Sequence, residues 1–317
     1  MNVFCILSGE NQKLATAEIE SLFSKTKKDS RIRSFRTNHP KDRVIAIGKR
    51  LAYSRFGAEL LFTSKLDKLE QKLASFDWQR KYKENFRVSI TDFSGKAKSA
   101  KHYGSIVWKT LKNPKVDLMN PVTDIRIAIT NKLAYVGILL WENDEDFESR
   151  KAHKRPGFMP TSVHPKFARA CVNLLGPEAN KIVDPFCGTG GFLLEAGLMG
   201  LSGKGSDIDD NSVNACKANL KHFGIKKFRV QKRNALNMRK TDYIICDLPY
   251  GRSAKVTMPA KMLYNNFLKV LQKNLEKKAV IITLSTSPLP KGFRIEHKIN
   301  YYIHKSMTKK ILVLSPR

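Results

Sequence analysis

Acidic residues are scarce in this 317-residue chain: 28 Asp and Glu stand against 58 Lys and Arg, a balance of +30. So large an excess repels itself unless a ligand or counterions offset it, which argues for a polyanion partner such as a nucleic acid. A lysine-rich proteome would give the same bulk number, but the excess is unevenly spread. Residues 1–150 carry 28 basic and 18 acidic side chains, whereas residues 151–317 carry 30 and 10. Cysteine is sparse too. Cys5, Cys171, Cys187, Cys216 and Cys246 are odd in number and form no CxxC pair. That excludes an obvious disulfide framework or zinc site and suits a reducing cytoplasm. No apolar run approaches the roughly 20 residues that span a bilayer, so no membrane association is expected. The start lacks the basic-then-apolar pattern of a leader peptide. Internal repeats and low-complexity segments are missing as well. What is present is ordinary for a packed protein: 42% of residues are hydrophobic, and the length suits two domains.

The first half reads as mixed α and β. Residues 3–8 form a short apolar strand, and 12–23 place Leu14, Ala17, Ile19, Leu22 and Phe23 at helical spacing. Residues 44–47 read as a strand, 51–61 as a helix, and 79–85 as a charged linker. A strand at 86–90, a helix at 100–111 ending in Lys112-Asn113-Pro114, and paired strands at 124–130 and 133–141 follow. An acidic run at 142–148 and a basic run at 150–155 then mark a boundary. From about His164 the rhythm becomes regular. Helices at 164–175, 191–199, 211–223 and 258–275 alternate with strands at 181–184, 203–207, 228–232, 243–247 and 279–284. Two last strands, 294–304 and 309–314, are close enough in sequence to pair antiparallel. The expected fold class is α/β, a doubly wound Rossmann-like sheet with an antiparallel end.

The cofactor signal is Ile182-Val183-Asp184-Pro185-Phe186-Cys187-Gly188-Thr189-Gly190-Gly191. A β-branched strand ends in Asp-Pro, and a glycine-rich turn opens a helix. Glycines there let backbone approach a ligand, and the helix start offers free N–H groups. The glycines alone would suit a dinucleotide. The spacing, however, is not G-x-G-x-x-G, and Asp184 would set a carboxylate against a pyrophosphate. A cationic ligand fits better, and S-adenosyl-L-methionine carries both an ammonium and a sulfonium. Phe186, Cys187, Gly188 and Gly190 are therefore candidate cofactor contacts beside Asp184. The next strand tip supplies Asp207 for ribose hydroxyls and Ile208 for a face of the adenine. Asp207, Asp209 or Asp210 could instead cap the following helix. After the third strand, Asn234 can pair with the adenine edge, with Ala235 beside it; a plain polar loop residue is the competing reading.

The fourth strand ends in Asp247-Leu248-Pro249-Tyr250, the (Asp/Asn/Ser)-Pro-Pro-(Tyr/Phe) pattern of amino-methyltransferases with Leu248 in second place. An aromatic exocyclic amine is a poor nucleophile, because its lone pair is delocalised into the ring. Asp247 and a nearby carbonyl can accept its two N–H bonds, aim the lone pair and stabilise charge developing on nitrogen. Pro249 stiffens the turn and Tyr250 offers a flat face to an extruded base. Covalent methylation at carbon would need a cysteine after the proline. Cys246 precedes Asp247 inside the strand and reads as core.

These motifs resemble the THUMP-containing archaeal tRNA (guanine-10, N2) methyltransferases. Supporting segments are His153-Lys154-Arg155-Pro156, His164-Pro165-Lys166-Phe167-Ala168-Arg169, His304 to Lys310, and Val116-Asp117-Leu118-Met119-Asn120-Pro121, which is similar to a THUMP core. The resemblance spans nearly the whole chain. It implies a ferredoxin-like region at 1–78, a THUMP-like RNA-binding domain at 79–150, a linker at 151–163 and the methyltransferase domain at 164–317. It implies S-adenosylmethionine as cofactor, tRNA as partner, no metal, and N2-methyl- or N2,N2-dimethylguanosine as product in the cytoplasm. A monomer, alone or with a small activating subunit, is expected. Thr161 lies where relatives contact the methionine part of the cofactor, and Asn234 stands where many relatives carry Asp. Other readings are another RNA guanine-N2 methyltransferase, acting at a different tRNA position or on rRNA, a DNA amino-methyltransferase, a non-catalytic tRNA-binding subunit and a protein glutamine methyltransferase. A THUMP uridine thiolase is disfavoured, because no Ser-Gly-Gly-x-Asp loop is found.

Overall fold

The computed structural model describes residues 1–159, 162–249, 258–305 and 307–317. Residues 1–144 supply β1 (Asn2–Leu7), α1 (Gln12–Leu22), β2 (Lys27–Asp29), β3 (Ile32–Arg36), α2 (Lys41–Arg50), β4 (Ser54–Ser64), α3 (Leu69–Ser75), β5 (Phe86–Asp92), α4 (Ala100–Trp108), β6 (Thr123–Ile129) and β7 (Ala134–Glu142). The rest supplies α5 (Pro165–Asn173), β8 (Lys181–Asp184), α6 (Gly191–Leu198), β9 (Ser202–Asp207), α7 (Asp210–His222), β10 (Phe228–Lys232), β11 (Thr241–Asp247), α8 (Ala260–Asn274), β12 (Leu275–Leu284), β13 (Phe293–His304) and β14 (Met307–Pro316).

Two compact units form. One holds Met1–Gln12, Phe23–Lys49 and Ser54–Asp144. The other holds Lys13–Leu22, Arg50–Tyr53 and Glu145–Arg317. The first unit is built on one seven-stranded sheet, β2-β3-β1-β4-β7-β6-β5. It is antiparallel apart from the β5–β6 pair. Phe4, Ile6, Phe56 and Ala58 fill one part of its core, and Trp78, Phe86, Tyr103, Ile125 and Val136 fill another.

Two elements differ from the sequence expectation. Residues 44–47 are helical within α2, not a strand. Val44 and Ile47 are both buried, the i, i+3 spacing of one helix face, and a window of four β-branched and small residues was too short to show it. Residues 54–61 are strand, not helix, because β4 pairs with β1 on one side and β7 on the other. Sheet pairing on both edges overrides local preference. Gly48 and Gly57 make room for Trp141: a Cβ at either would stand within 2.2 Å of the indole. The stretch 79–85 is not a free linker. Gln79 accepts from the Lys112 N–H at 2.9 Å and Asn85 from the Val122 N–H at 2.7 Å.

The second unit carries the sheet β10-β9-β8-β11-β12-β14-β13. Its first five strands run parallel, and β14 is antiparallel to both neighbours. Counted within the unit the order is 3-2-1-4-5-7-6, an open doubly wound sheet whose order reverses between β8 and β11. Ligands of such sheets bind outside the carboxyl ends of the strands at that switch point. Ile244, Cys246, Phe267, Leu271, Ile281 and Leu312 form the core beneath it. α1 belongs to this unit. The Glu18 carboxylate is fully buried and accepts from Ala52 N at 2.8 Å, Tyr53 N at 3.1 Å and Asn173 Nδ2 at 2.7 Å. On α6, buried Glu195 accepts from the Nε atoms of Arg150 and Arg169, each at 2.9 Å. Among the described residues no helix is long and apolar enough to cross a membrane.

Candidate functional site

Asp184 ends β8 and Asp247 ends β11, so the switch point places two carboxylates at the tips of neighbouring strands. Asp184 is wholly buried. Its Oδ1 accepts from Phe186 N at 3.1 Å, while Oδ2 is buried with no hydrogen-bond partner among the described residues. Burial pushes this carboxyl well above the usual aspartate range, and the nearby charges of Asp207 and Asp247 push it further. An unpaired buried carboxylate is costly. A cation next to Oδ2 would offset that cost.

The loop after β8 owes its shape to Gly188 and Gly190, whose φ angles are +50° and +85°, the left-handed region that suits glycine. No protein atom stands within 4 Å of where a Gly188 Cβ would be, whereas a Gly190 Cβ would lie 2.6 Å from Cys216 Sγ. The first glycine therefore faces open space, and the second admits α7. Buried Asn219 ties the loop down from behind, donating to Thr189 O at 2.8 Å and Gly157 O at 3.0 Å.

Asp207 closes the loop from the β9 tip. Its Oδ2 accepts from Gly188 N at 2.9 Å and its Oδ1 from Asp209 N at 3.1 Å. The helix cap is Asp209, which accepts from Ser212 N at 3.0 Å, and Asp207 stays directed at the loop. Ile208 beside it is exposed. Asn234 spends Oδ1 on the Leu236 N–H at 2.9 Å, capping a short turn in which Ala235 is buried. Phe186 packs edge-on against Phe267 at 5.1 Å, so its ring also serves the core. A hydrogen bond with Cys216, together with burial, pushes the Cys187 thiol up, and burial does the same to Cys246. Both stay neutral thiols, unsuited to nucleophilic attack.

At the β11 tip, Lys309 Nζ donates to Asp247 Oδ2. Among the described residues, Asp247 Oδ1 is buried without a hydrogen-bond partner. Burial raises the Asp247 carboxyl, and the Lys309 ammonium pulls it back. Leu248 is held in register by its N–H to Ile282 O at 2.9 Å. Pro249 follows directly. Thr161 and Tyr250, both candidates from the sequence, lie outside the described residues. The structure thus brings Asp184, Gly188, Gly190, Asp207 and Asp247 to one edge of one sheet. Sequence reasoning gave Lys309 no role. The available signal was a lysine pair, Lys309-Lys310, opening an otherwise apolar strand.

A seven-stranded doubly wound sheet with a glycine loop, an acidic second strand tip and Asp-x-Pro after the fourth strand defines a Rossmann-like methyltransferase. Comparison with known proteins agrees. The UPF0020 family, described as an RMKL-like methyltransferase domain, matches residues 152–310. The tRNA (guanine(10)-N2)-dimethyltransferase of Methanothermobacter thermautotrophicus is 33% identical over 99% of both chains. That of Pyrococcus abyssi is 30% identical over 76% of this chain and 77% of its own. The crystal structure of TrmN from Thermus thermophilus superposes with a TM-score of 0.52 at 18% identity, covering 100% of this chain and 99% of that one, a likeness of fold. The chain belongs to the tRNA (guanine(10)-N2)-dimethyltransferase family.

Proposed function

We propose that this enzyme transfers a methyl group from S-adenosylmethionine to the exocyclic N2 amine of a guanine in tRNA, at position 10, giving N2-methyl- or N2,N2-dimethylguanosine. The observation that carries the reading is Asp247 Oδ1, a buried acceptor at the switch point with no hydrogen-bond partner among the described residues. It can take an amine N–H and turn the nitrogen lone pair outward. Pro249 holds the turn, and Tyr250 by its place in the motif offers the base a stacking face.

The crevice fits the cofactor. Asp184 Oδ2 would hold the ammonium, Asp207 the ribose hydroxyls, Ile208 one adenine face and Asn234 Nδ2 the adenine edge. Gly188 leaves the space that a close backbone approach needs. Thr161 would serve the methionine part. When bound, S-adenosylmethionine would supply an electrophilic methyl group on its sulfonium for transfer to the amine lone pair that Asp247 orients. The proton lost from nitrogen passes to Asp247 and on to water.

The RNA-gripping role falls to residues 79–150. Asp117 Oδ1 accepts from Met119 N and Asn120 N at 2.9 and 2.8 Å, and Arg87 donates to Leu118 O at 2.8 Å. These bonds stiffen a loop whose Leu118 and Met119 are exposed close in sequence to the exposed Lys109, Lys112 and Lys115. The protein is taken to act in the cytoplasm as a monomer, alone or with a small activating subunit. The test is transfer of a labelled methyl to tRNA and to duplex DNA side by side, followed by digestion and nucleoside identification. Label in N2-methylated guanosine supports the assignment. Label in adenine, or in DNA alone, overturns it in favour of a DNA amino-methyltransferase.

A further inference from the structure

We infer that Lys309 is a positioning residue of the reaction centre: it occupies Oδ2 of Asp247 and thereby leaves Oδ1 as the single oxygen presented to the target amine. This inference rests on the reading of Asp247 as the amine acceptor. Lysine is almost never buried unless paired, yet Lys309 is 9% exposed at the start of β14, just before the wholly buried Ile311, Leu312, Val313 and Leu314. Register explains its reach. Asp247 lies opposite Ile282 on β12, and Lys309 lies opposite Leu284 on the other edge of β12. Neighbouring strands are about 4.8 Å apart, so β14 stands two strand spacings from β11. Only a long side chain crossing the end of β12 can close that gap. The ammonium does so and donates to Oδ2, while Oδ1 stays buried and unpartnered.

The pair has two effects on an amine. A carboxylate held by one oxygen cannot rotate to offer the other, so the lone pair is aimed in one direction. The adjacent cation also favours the ionised carboxylate, the form that accepts rather than donates. The other groups around the pair do not replace this. Cys171 on α5 and Cys246 on β11 are buried thiols held neutral, and Asp184 on β8 is a buried carboxyl pushed well above the usual range, so none of them supplies a cation. Lys310 turns its ammonium to Ser287 O at 2.5 Å. Tyr301, opposite Lys309 on β13, packs its ring 4.3 Å from Phe167.

The test compares Lys309→Met and Lys309→Arg with Asp247→Ala and Asp247→Asn in the full chain. Turnover on tRNA is measured across pH, with S-adenosylhomocysteine affinity read by calorimetry. Lys309→Met should lower kcat by about ten- to a hundredfold, the scale of a misaligned acceptor. KM for tRNA and cofactor affinity should stay within about twofold. The acid limb of kcat should move to higher pH, because loss of the cation makes Asp247 easier to protonate. Lys309→Arg should keep most of the turnover and the original limb. Should Lys309→Met fold poorly, the Asp247→Asn background provides the second reading, since there the lysine has no carboxylate to orient and its removal should change kcat less than about twofold. An unmoved limb with near-normal kcat in Lys309→Met overturns the inference, as does an equal loss in the Asp and Asn backgrounds. Near-normal turnover in Asp247→Ala instead overturns the underlying assignment of the acceptor.

Discussion

Replacing Asp184 by Asn separates a cation-binding role from a structural one, because the two predict opposite signs. The carboxylate is fully buried, one oxygen is satisfied by Phe186 N and the other has no partner. Asn keeps the shape and the Phe186 bond but removes the charge. Hydrogen bonds to charged groups contribute about 1.5–3 kcal/mol, so S-adenosylhomocysteine should bind roughly ten- to a hundredfold more weakly. The apo protein should not suffer. Burial and the neighbouring carboxylates raise the folded-state pKa of Asp184, so the native protein binds this proton more tightly than the unfolded chain does. Wild-type apo stability therefore carries a component that falls as pH rises from the ordinary aspartate range toward the raised value, and the Asn variant lacks it. Wild-type ligand affinity should rise with pH over the same window, since the carboxylate must ionise to pair. Calorimetric titration and apo thermal unfolding across pH read both quantities. Unchanged affinity, or an apo unfolding midpoint several degrees below wild type at every pH, refutes the reasoning.

Asp207→Ala should weaken S-adenosylhomocysteine by about 1.5–3 kcal/mol through lost ribose bonds, with tRNA affinity nearly unchanged; an unaltered dissociation constant in calorimetry would leave Asp207 as a loop brace only. Gly190→Ala should destabilise the protein by about 1–3 kcal/mol for left-handed strain, with a further loss from the 2.6 Å approach to Cys216 Sγ. Adding Cys216→Ala should recover the second part and not the first in urea unfolding. Full recovery would show that the backbone conformation costs nothing.

The α/β alternation of the catalytic unit was legible because its two central parallel strands are short β-branched runs ending in acidic residues, Ile182-Val183-Asp184 and Ile244-Ile245-Cys246-Asp247. The crevice was legible for the same reason, since a strand tip in such a sheet points at the ligand edge. What stayed hidden depends on pairing between distant segments. β4 is strand because β1 and β7 flank it, and nothing in its own residues announces them. Lys309 meets Asp247 across 62 positions. Glu18 meets Asn173 across 155, which makes α1 part of the catalytic unit. A truncation beginning near Arg150 would strip Lys13–Leu22 and Arg50–Tyr53 from that unit and leave Asn173 without its carboxylate. The division of labour between halves is therefore better tested by substituting exposed lysines such as Lys112 and Lys115 than by cutting the chain.

The most direct measurement is single-turnover methylation of a tRNA transcript in which guanosine 10 is replaced by inosine. Inosine keeps the ring and its carbonyl and lacks only the 2-amino group that Asp247 is proposed to hold. The account predicts full labelling of the guanosine transcript, as N2-methyl or N2,N2-dimethyl product at position 10, and none of the inosine transcript. Label retained on the inosine transcript would contradict it.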